Sequence, residues 1–280
     1  MPNPSVTVVI PVHNAANLAD KVVSWRLFLD KCGRPYEILV VDDGGTDSAT
    51  EKLAAREPRA QVLRHDTRRG FGACLRTALA EAKHPLFFYA ALDYPYTPAD
   101  LRVMLERIEL RDEILGKQPD LISGCRTGLA TPFLPKWSSR LWRGFWRVFA
   151  GMPIQEAPPW HGWGESRYKA RTRWVYSVPL ADVNSCFKLY RTAFLRRFPI
   201  QSDGDFVHTE LVAKATFLTS IMDEVKLTPK PDAVPALGNI RADRRRLFGH
   251  PKFAFPPEPP APPPIVESLA EPSPSPVAVP

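Results

Sequence analysis

Cysteine is scarce and scattered. The four cysteines, Cys32, Cys74, Cys125 and Cys186, stand far apart and form no C-x-x-C pair. That excludes a disulfide framework and a zinc finger and points to separate reduced thiols. Long apolar runs are missing as well, since nothing approaches the roughly 18 residues needed to cross a bilayer. No charged and then apolar leader stands before the strand-like Val6–Pro11. The expected location is therefore the cytoplasm, with any membrane contact peripheral and at the inner face. No helix-turn-helix, zinc-finger or aromatic RNA-binding platform accompanies the basic runs, so nucleic acid is set aside as a partner. No internal repeat is present.

What remains is a chain of 280 residues with 44% hydrophobic content, long enough for a substantial core. The net charge of +7 suits an anionic partner such as a nucleotide or a lipid phosphate, and serves equally as solubility charge. Twelve of the 31 prolines fall in the final thirty residues, in runs such as Pro256-Pro257-Glu258-Pro259-Pro260. Such a segment cannot bury a core and reads as a disordered tail biased to polyproline II, a form that PPII-recognition domains bind.

Hydrophobic periodicity lays out alternating strands and helices. Val6–Pro11 is a β-branched run of the kind buried on both faces of a sheet. Helix is predicted from Ala15 to Asp30, strand over Tyr36–Val41, and a helix to Arg56 capped by Asp47. Strand is expected again at Ala60–Leu63, helix at Gly72–Lys83 and strand at Leu86–Ala90. Thr97 and Pro98 open a predicted helix through Leu115, and Asp120–Ser123 reads as a further strand. From Thr131 to Ser177 no period persists. Regular structure returns at Val183–Tyr190 and in a helix over His208–Thr219. This alternation argues for βαβ units, an α/β fold with a mostly parallel sheet flanked by helices.

In such a sheet, ligands bind beyond the carboxyl ends of the strands. The polar residues there are Pro11-Val12-His13-Asn14, Asp42-Asp43-Gly44-Gly45-Thr46-Asp47 and Ala91-Leu92-Asp93. Strand-end carboxylates can accept hydrogen bonds from a base and ribose, and glycines let backbone approach a ligand. The Asp43–Asp47 stretch also reads simply as a turn and helix cap.

Taken in order, these segments resemble the family-2 glycosyltransferases, in particular the dolichyl-phosphate mannose synthase-like branch. The family's P-x-x-N, V-D-D-G-S-T-D, N-x-G-x-G-x-A and D-x-D-x-Q-x-x-P segments are similar to Pro11–Asn14, Val41–Asp47, Arg69–Ala78 and Ala91–Pro98. Further similarity lies at Ser123–Arg126, Asp182–Arg191 and Phe206–Leu211, so the resemblance spans residues 5–230. It implies a GT-A fold over residues 1–235, followed by a basic extension over 236–253 and the tail over 254–280. It implies a UDP- or GDP-sugar donor and transfer of a hexose to a polyprenyl phosphate or another membrane-proximal acceptor. Pro11 and Asn14 would shape the base pocket, Asp42 and Asp43 would contact base and ribose, and Arg69 and Gly70 would lie against the nucleotide. Asp93 would face a metal. Arg126 and Lys188 would meet donor diphosphate or acceptor phosphate, with Asp182, Asn184 and Glu210 on the acceptor side.

The departures cluster at the metal. The first Asp of D-x-D is Ala91 and the downstream Gln is Pro95, leaving Asp93 alone. Mg²⁺ or Mn²⁺ prefers several oxygen ligands, so metal binding would be weakened. Two readings follow. Cations such as Arg69, Arg126 or Lys188 neutralise the leaving diphosphate without a metal, or the chain is a catalytically inactive nucleotide-sugar-binding or scaffold protein of the same fold. Residues 136–149 place Trp142, Phe145, Trp146 and Phe149 on one helical face and arginines on the other, a pattern that fits an anionic membrane interface and equally a lid over the acceptor cavity. The Arg241–Arg246 run reads as a solvated face or a lipid-phosphate contact.

Overall fold

The computed structural model describes residues 4–92, 96–111, 116–126, 163–228 and 252–255, with the side chains of 163–167 excepted. The expected membrane-facing helix at 136–149, the Arg241–Arg246 run and Asp93 all lie outside the described residues.

Among the described residues, seven strands form one sheet in the order β3-β2-β1-β4-β6-β5-β7. They are β1 (Val6–Val12), β2 (Tyr36–Asp42), β3 (Ala60–Arg64), β4 (Leu86–Ala90), β5 (Leu121–Arg126), β6 (Phe187–Arg191) and β7 (Met222–Leu227). The helices are α1 (Leu18–Asp30), α2 (Ala49–Arg56), α3 (Phe71–Glu81), α4 (Asp100–Arg107), α5 (Trp163–Tyr176), α6 (Thr192–Leu195) and α7 (Val207–Phe217). Among the described strands only β6 runs against its neighbours, pairing antiparallel with β4 and β5. The other ladders are parallel. The carboxyl ends of six strands and the amino end of β6 therefore meet on one edge.

Side chains alternate across β1, and both faces are apolar. Val8 and Ile10 pack with Trp25, Leu29, Leu101 and Met104 under α1, α2 and α4. Val9 packs with Leu75, Ala78, Leu211 and Val212 under α3 and α7. Each such fully buried side chain contributes roughly 1.5–3 kcal/mol. The result is three layers, helices on both faces of a mostly parallel sheet. No helix of the described residues is long and apolar enough to cross a membrane.

Four elements differ from the sequence reading. α4 ends at Arg107 and not at Leu115, and beyond it the Gln118 side chain binds the Glu109 carbonyl at 2.7 Å. α5 forms where no period persisted, because its buried contacts rest on Tyr168, Thr172 and Tyr176 at i, i+4 and i+8, two tyrosines and a threonine instead of an aliphatic stripe. β6 starts at Phe187, since 181–186 is a loop at the sheet edge. β7, a polar edge strand, carries too little apolar signal to be read in advance. At the junction expected between extension and tail, Phe253 packs on Tyr176 and Phe217, while Gln201 binds the Lys252 carbonyl at 3.1 Å and accepts the Ala254 amide at 2.7 Å.

Candidate active site

At the β1–β2 corner the carboxylates turn inward. Asp42 accepts the Gly45 amide at 2.8 Å and the Thr50 hydroxyl at 3.3 Å, with the Arg64 Nε 3.5 Å away. Gly44 has a φ of 69°, and a Cβ there would lie 2.5 Å from the Thr67 carbonyl carbon, so this turn demands glycine. Asn14 accepts the Thr46 amide at 2.8 Å. The His13 Nδ1 donates to the Asp43 carbonyl at 2.9 Å. Pro11 is buried near the end of β1, just before this corner.

Asp43 is an acceptor hub. Its Oδ1 receives the Arg69 amide at 2.8 Å and the His65 Nδ1 at 2.9 Å, and its Oδ2 receives the Gly70 amide at 2.8 Å. The Cys74 thiol lies within 4.8 Å of the carboxylate. Burial alone would raise the Asp43 pKa, but the His65 bond and the two amides outweigh it and hold the carboxyl below its ordinary value. With Nδ1–H given to Asp43, the His65 Nε2 accepts the Thr77 hydroxyl at 2.8 Å. Burial and the Asp43 charge push the Cys74 thiol up to about 12.

The ligand atoms of Asp43, His65 and Cys74 lie within 4.8 Å of one another. These residues do not fit a metal. The carboxylate is filled by three donors, both imidazole nitrogens are engaged, and burial holds the thiol protonated. At the end of β4, half-buried Ala91 supplies no ligand.

The hub fixes the backbone of the 65–70 loop and leaves the side chains of residues 66–69 outward. Arg68 and Arg69 are exposed, and the Arg69 guanidinium has no hydrogen-bond partner among the described residues. Forked guanidinium cations of this kind are suited to phosphate oxygens.

The β5–β6–β7 end is built differently. Arg126 grips Asp182 through Nε at 2.6 Å, Nη2 at 2.8 Å and its amide at 3.1 Å, with both residues buried. Glu224 on β7 accepts the Ala181 and Asp182 amides at 2.7 and 2.9 Å; burial raises its pKa above the usual carboxylate value. Lys188 is 0% exposed. Its ammonium donates to the Val183 carbonyl at 3.0 Å and to the Ser185 carbonyl, so it holds the 181–186 loop. Burial lowers its pKa to about 8. Lys169 on α5 is likewise lowered, by burial and then by Arg173.

Behind this loop, His208 stacks on Tyr89 and meets Phe71 edge-on, and burial with the Lys188 charge keeps it neutral. Asn184 accepts the Thr209 hydroxyl at 3.3 Å. Glu210, also buried, accepts the Gln201 and Ser202 amides at 2.8 and 2.7 Å and pairs with Lys214 at 2.7 Å.

The edge thus brings together Pro11, Asn14, Asp42, Asp43, Arg69 and Gly70 on one wall, and Arg126, Asp182, Asn184 and Lys188 on the other. Glu210 sits behind them. Sequence reasoning missed His65, Thr77, Arg68, Glu224 and Lys169. Arg68, next to Arg69 in the same run, carried a legible signal; the others are joined to the site only by folding.

Residues 7–195 match the profile of Glycosyl transferase family 2. The chain belongs to that family. Among curated relatives, the undecaprenyl-phosphate 4-deoxy-4-formamido-L-arabinose transferase of Edwardsiella ictaluri (strain 93-146) is 27% identical over 116 residues, which cover 40% of this chain. The match spans about a third of that relative, 36% of its length. Among solved structures, glucosyl-3-phosphoglycerate synthase from Mycobacterium tuberculosis in complex with Mn²⁺, UDP and phosphoglyceric acid aligns with a TM-score of 0.56 at 16% identity, over 88% of this chain and 76% of that one. The same enzyme with Mg²⁺ and UDP aligns with a TM-score of 0.58 at 17% identity, over 88% of this chain and 77% of that one. The family-2 chain therefore has a GT-A fold.

Proposed function

We propose that this family-2 protein transfers a hexose from a UDP- or GDP-sugar to a phosphate-bearing acceptor at a membrane, a polyprenyl phosphate in the first instance. The observation that carries the reading is the exposed Arg68–Arg69 pair on a loop whose amides are locked by Asp43. It stands where sheets of this type bind ligands. The curated relative's undecaprenyl-phosphate acceptor and the structural relatives' UDP support the two substrate classes.

An acceptor phosphate oxygen attacks the anomeric carbon, and the bond from that carbon to the donor diphosphate breaks. The electron pair leaves on the diphosphate, where Arg68 and Arg69 neutralise the growing charge. A phosphate nucleophile is already ionised, so no general base is required. Asn14 and the Asp43 hub shape the nucleotide wall. Arg126 and Lys188, engaged with Asp182 and with loop carbonyls, hold the 181–186 loop and lend it positive potential.

Ala91 in place of the first D-x-D carboxylate favours a second reading, a nucleotide-sugar-binding protein without turnover. Purified protein incubated with UDP-glucose or GDP-mannose and undecaprenyl phosphate, with and without Mn²⁺, separates the two. Release of the nucleoside diphosphate coupled to glycolipid formation supports transfer. Nucleotide binding without release supports the second reading, and the absence of both defeats the proposal. Restoring the carboxylate with Ala91→Asp sharpens the result: metal-dependent turnover that appears only in the variant marks a lost clamp.

A further inference from the structure

The Arg69 turn is held from two sides. Asp43 takes the amides of Arg69 and Gly70, and the Asp203 carbonyl takes those of Gly72 at 2.7 Å and Ala73 at 3.3 Å. The two segments are in direct contact. A Cβ on Gly72 would lie 1.9 Å from the Ser202 oxygen, and one on Gly70 2.5 Å from the Asp203 oxygen. The first amides of α3 are thereby occupied by protein and not left for a ligand.

The 200–203 segment has little regular structure of its own. Glu210 binds two of its amides, at Gln201 and Ser202. Arg76 binds the carbonyls of Ile200 and Ser202, each at 3.1 Å, and pairs with the Asp203 carboxylate. Glu210 is 1% exposed, and Lys214 neutralises it one turn along α7. The neighbouring Thr209 binds Asn184 on the opposite loop. One turn of α7 therefore touches both walls of the site.

We propose that Glu210 is a positioning residue for the nucleotide wall, acting through Ser202 and Asp203 on the turn that carries Arg69. This rests on the nucleotide-sugar reading of the site, and it moves Glu210 from the acceptor side, where the family resemblance put it, to donor binding. The physical basis is that a buried carboxylate shared by two amides fixes their separation, and the glycine seam leaves no slack to absorb a shift.

The test is Glu210→Gln, which keeps the size but replaces one accepting oxygen with an NH₂ that cannot accept. Amide hydrogen exchange is expected to rise at Gln201 and Ser202 and also across Arg69–Ala73, while amides in β1 and β4 keep their protection. UDP or GDP affinity should fall about tenfold, the loss of one charge-assisted bond, with the acceptor KM unchanged. Arg76→Ala, at a half-buried position, should move the same amides in the same direction if Glu210→Gln does not fold. Faster exchange confined to residues 201–202 in either variant, with the Arg69 turn and nucleotide affinity unchanged, overturns the proposal. Wild-type protein that binds no nucleotide defeats the function reading alone, because the exchange arm still reads whether Glu210 orders the Arg69 turn.

Discussion

Asp43 and Asp182 are both buried carboxylates on the same sheet edge, yet their partners differ in kind. Asp43 is surrounded by polar donors: two backbone amides and an imidazole. Asp182 is met by a guanidinium in a forked grip, with Lys188 and Lys169 nearby in the same low-dielectric pocket. On the Asp43 wall the Asp43 charge is used up inside the loop, and the side chains of Arg68 and Arg69 face water. On the Asp182 wall the cations are internal and order a loop. On the proposed function, an anionic ligand finds its exposed partners on the first wall, while the second supplies shape and field.

Removing the charge of Asp182 should separate the walls most sharply. Asp182→Asn leaves Arg126 buried without its counter-ion and should cost about 3–5 kcal/mol in a denaturant titration. Asp43→Asn exchanges one acceptor oxygen for a donor that faces an amide, which should cost about 1–3 kcal/mol. In that variant nucleotide binding should weaken beyond what the stability loss explains, because the Arg69 turn is released.

Lys188 gives the comparison a pH axis. Its pKa in the fold is lowered from 10.5 to about 8 by burial. Below pH 8 the fold carries the full cost of a buried cation. As pH rises from 8 toward 10.5, the unfolded chain retains a proton that the fold has shed, so this residue's contribution to stability rises. Cys74, Cys125 and Cys186 act in the opposite sense above pH 9, because burial holds them protonated. The informative quantity is thus the difference between wild type and Lys188→Met, whose stability gap should narrow in favour of wild type between pH 8 and 10. A gap that is flat with pH means that the ammonium is not desolvated as the structure has it.

Arg69→Ala should leave stability within about 0.5 kcal/mol, since the side chain is exposed and its loop is held by backbone bonds. Only nucleotide affinity should move.

The parts of this architecture that are legible in the sequence share a physical cause. β1, β2 and β4 are short apolar runs buried on both faces, and their ends agree with the sequence reading to within a residue or so. α5 and β7 escape it because their signals are tertiary: α5 is held by tyrosines that a hydrophobic stripe does not describe, and β7 is an amphipathic edge. The strand-end residues Asp42, Asp43 and Asn14 are found by position alone. Their orientation is not, because Asp43 turns inward to His65 across a separation of 22 residues, and Arg126 to Asp182 across 56. Spacing along the chain shows which residues reach the edge; burial decides which of them face a ligand.

Calorimetric titration of UDP and GDP into wild type and Arg69→Ala, each with and without Mn²⁺, tests the central claim most directly. One nucleotide should bind wild type, and the variant should bind it about tenfold more weakly, as expected for a lost charge-assisted contact. Equal affinity in the two proteins, or no heat from either nucleotide under any condition, would contradict it.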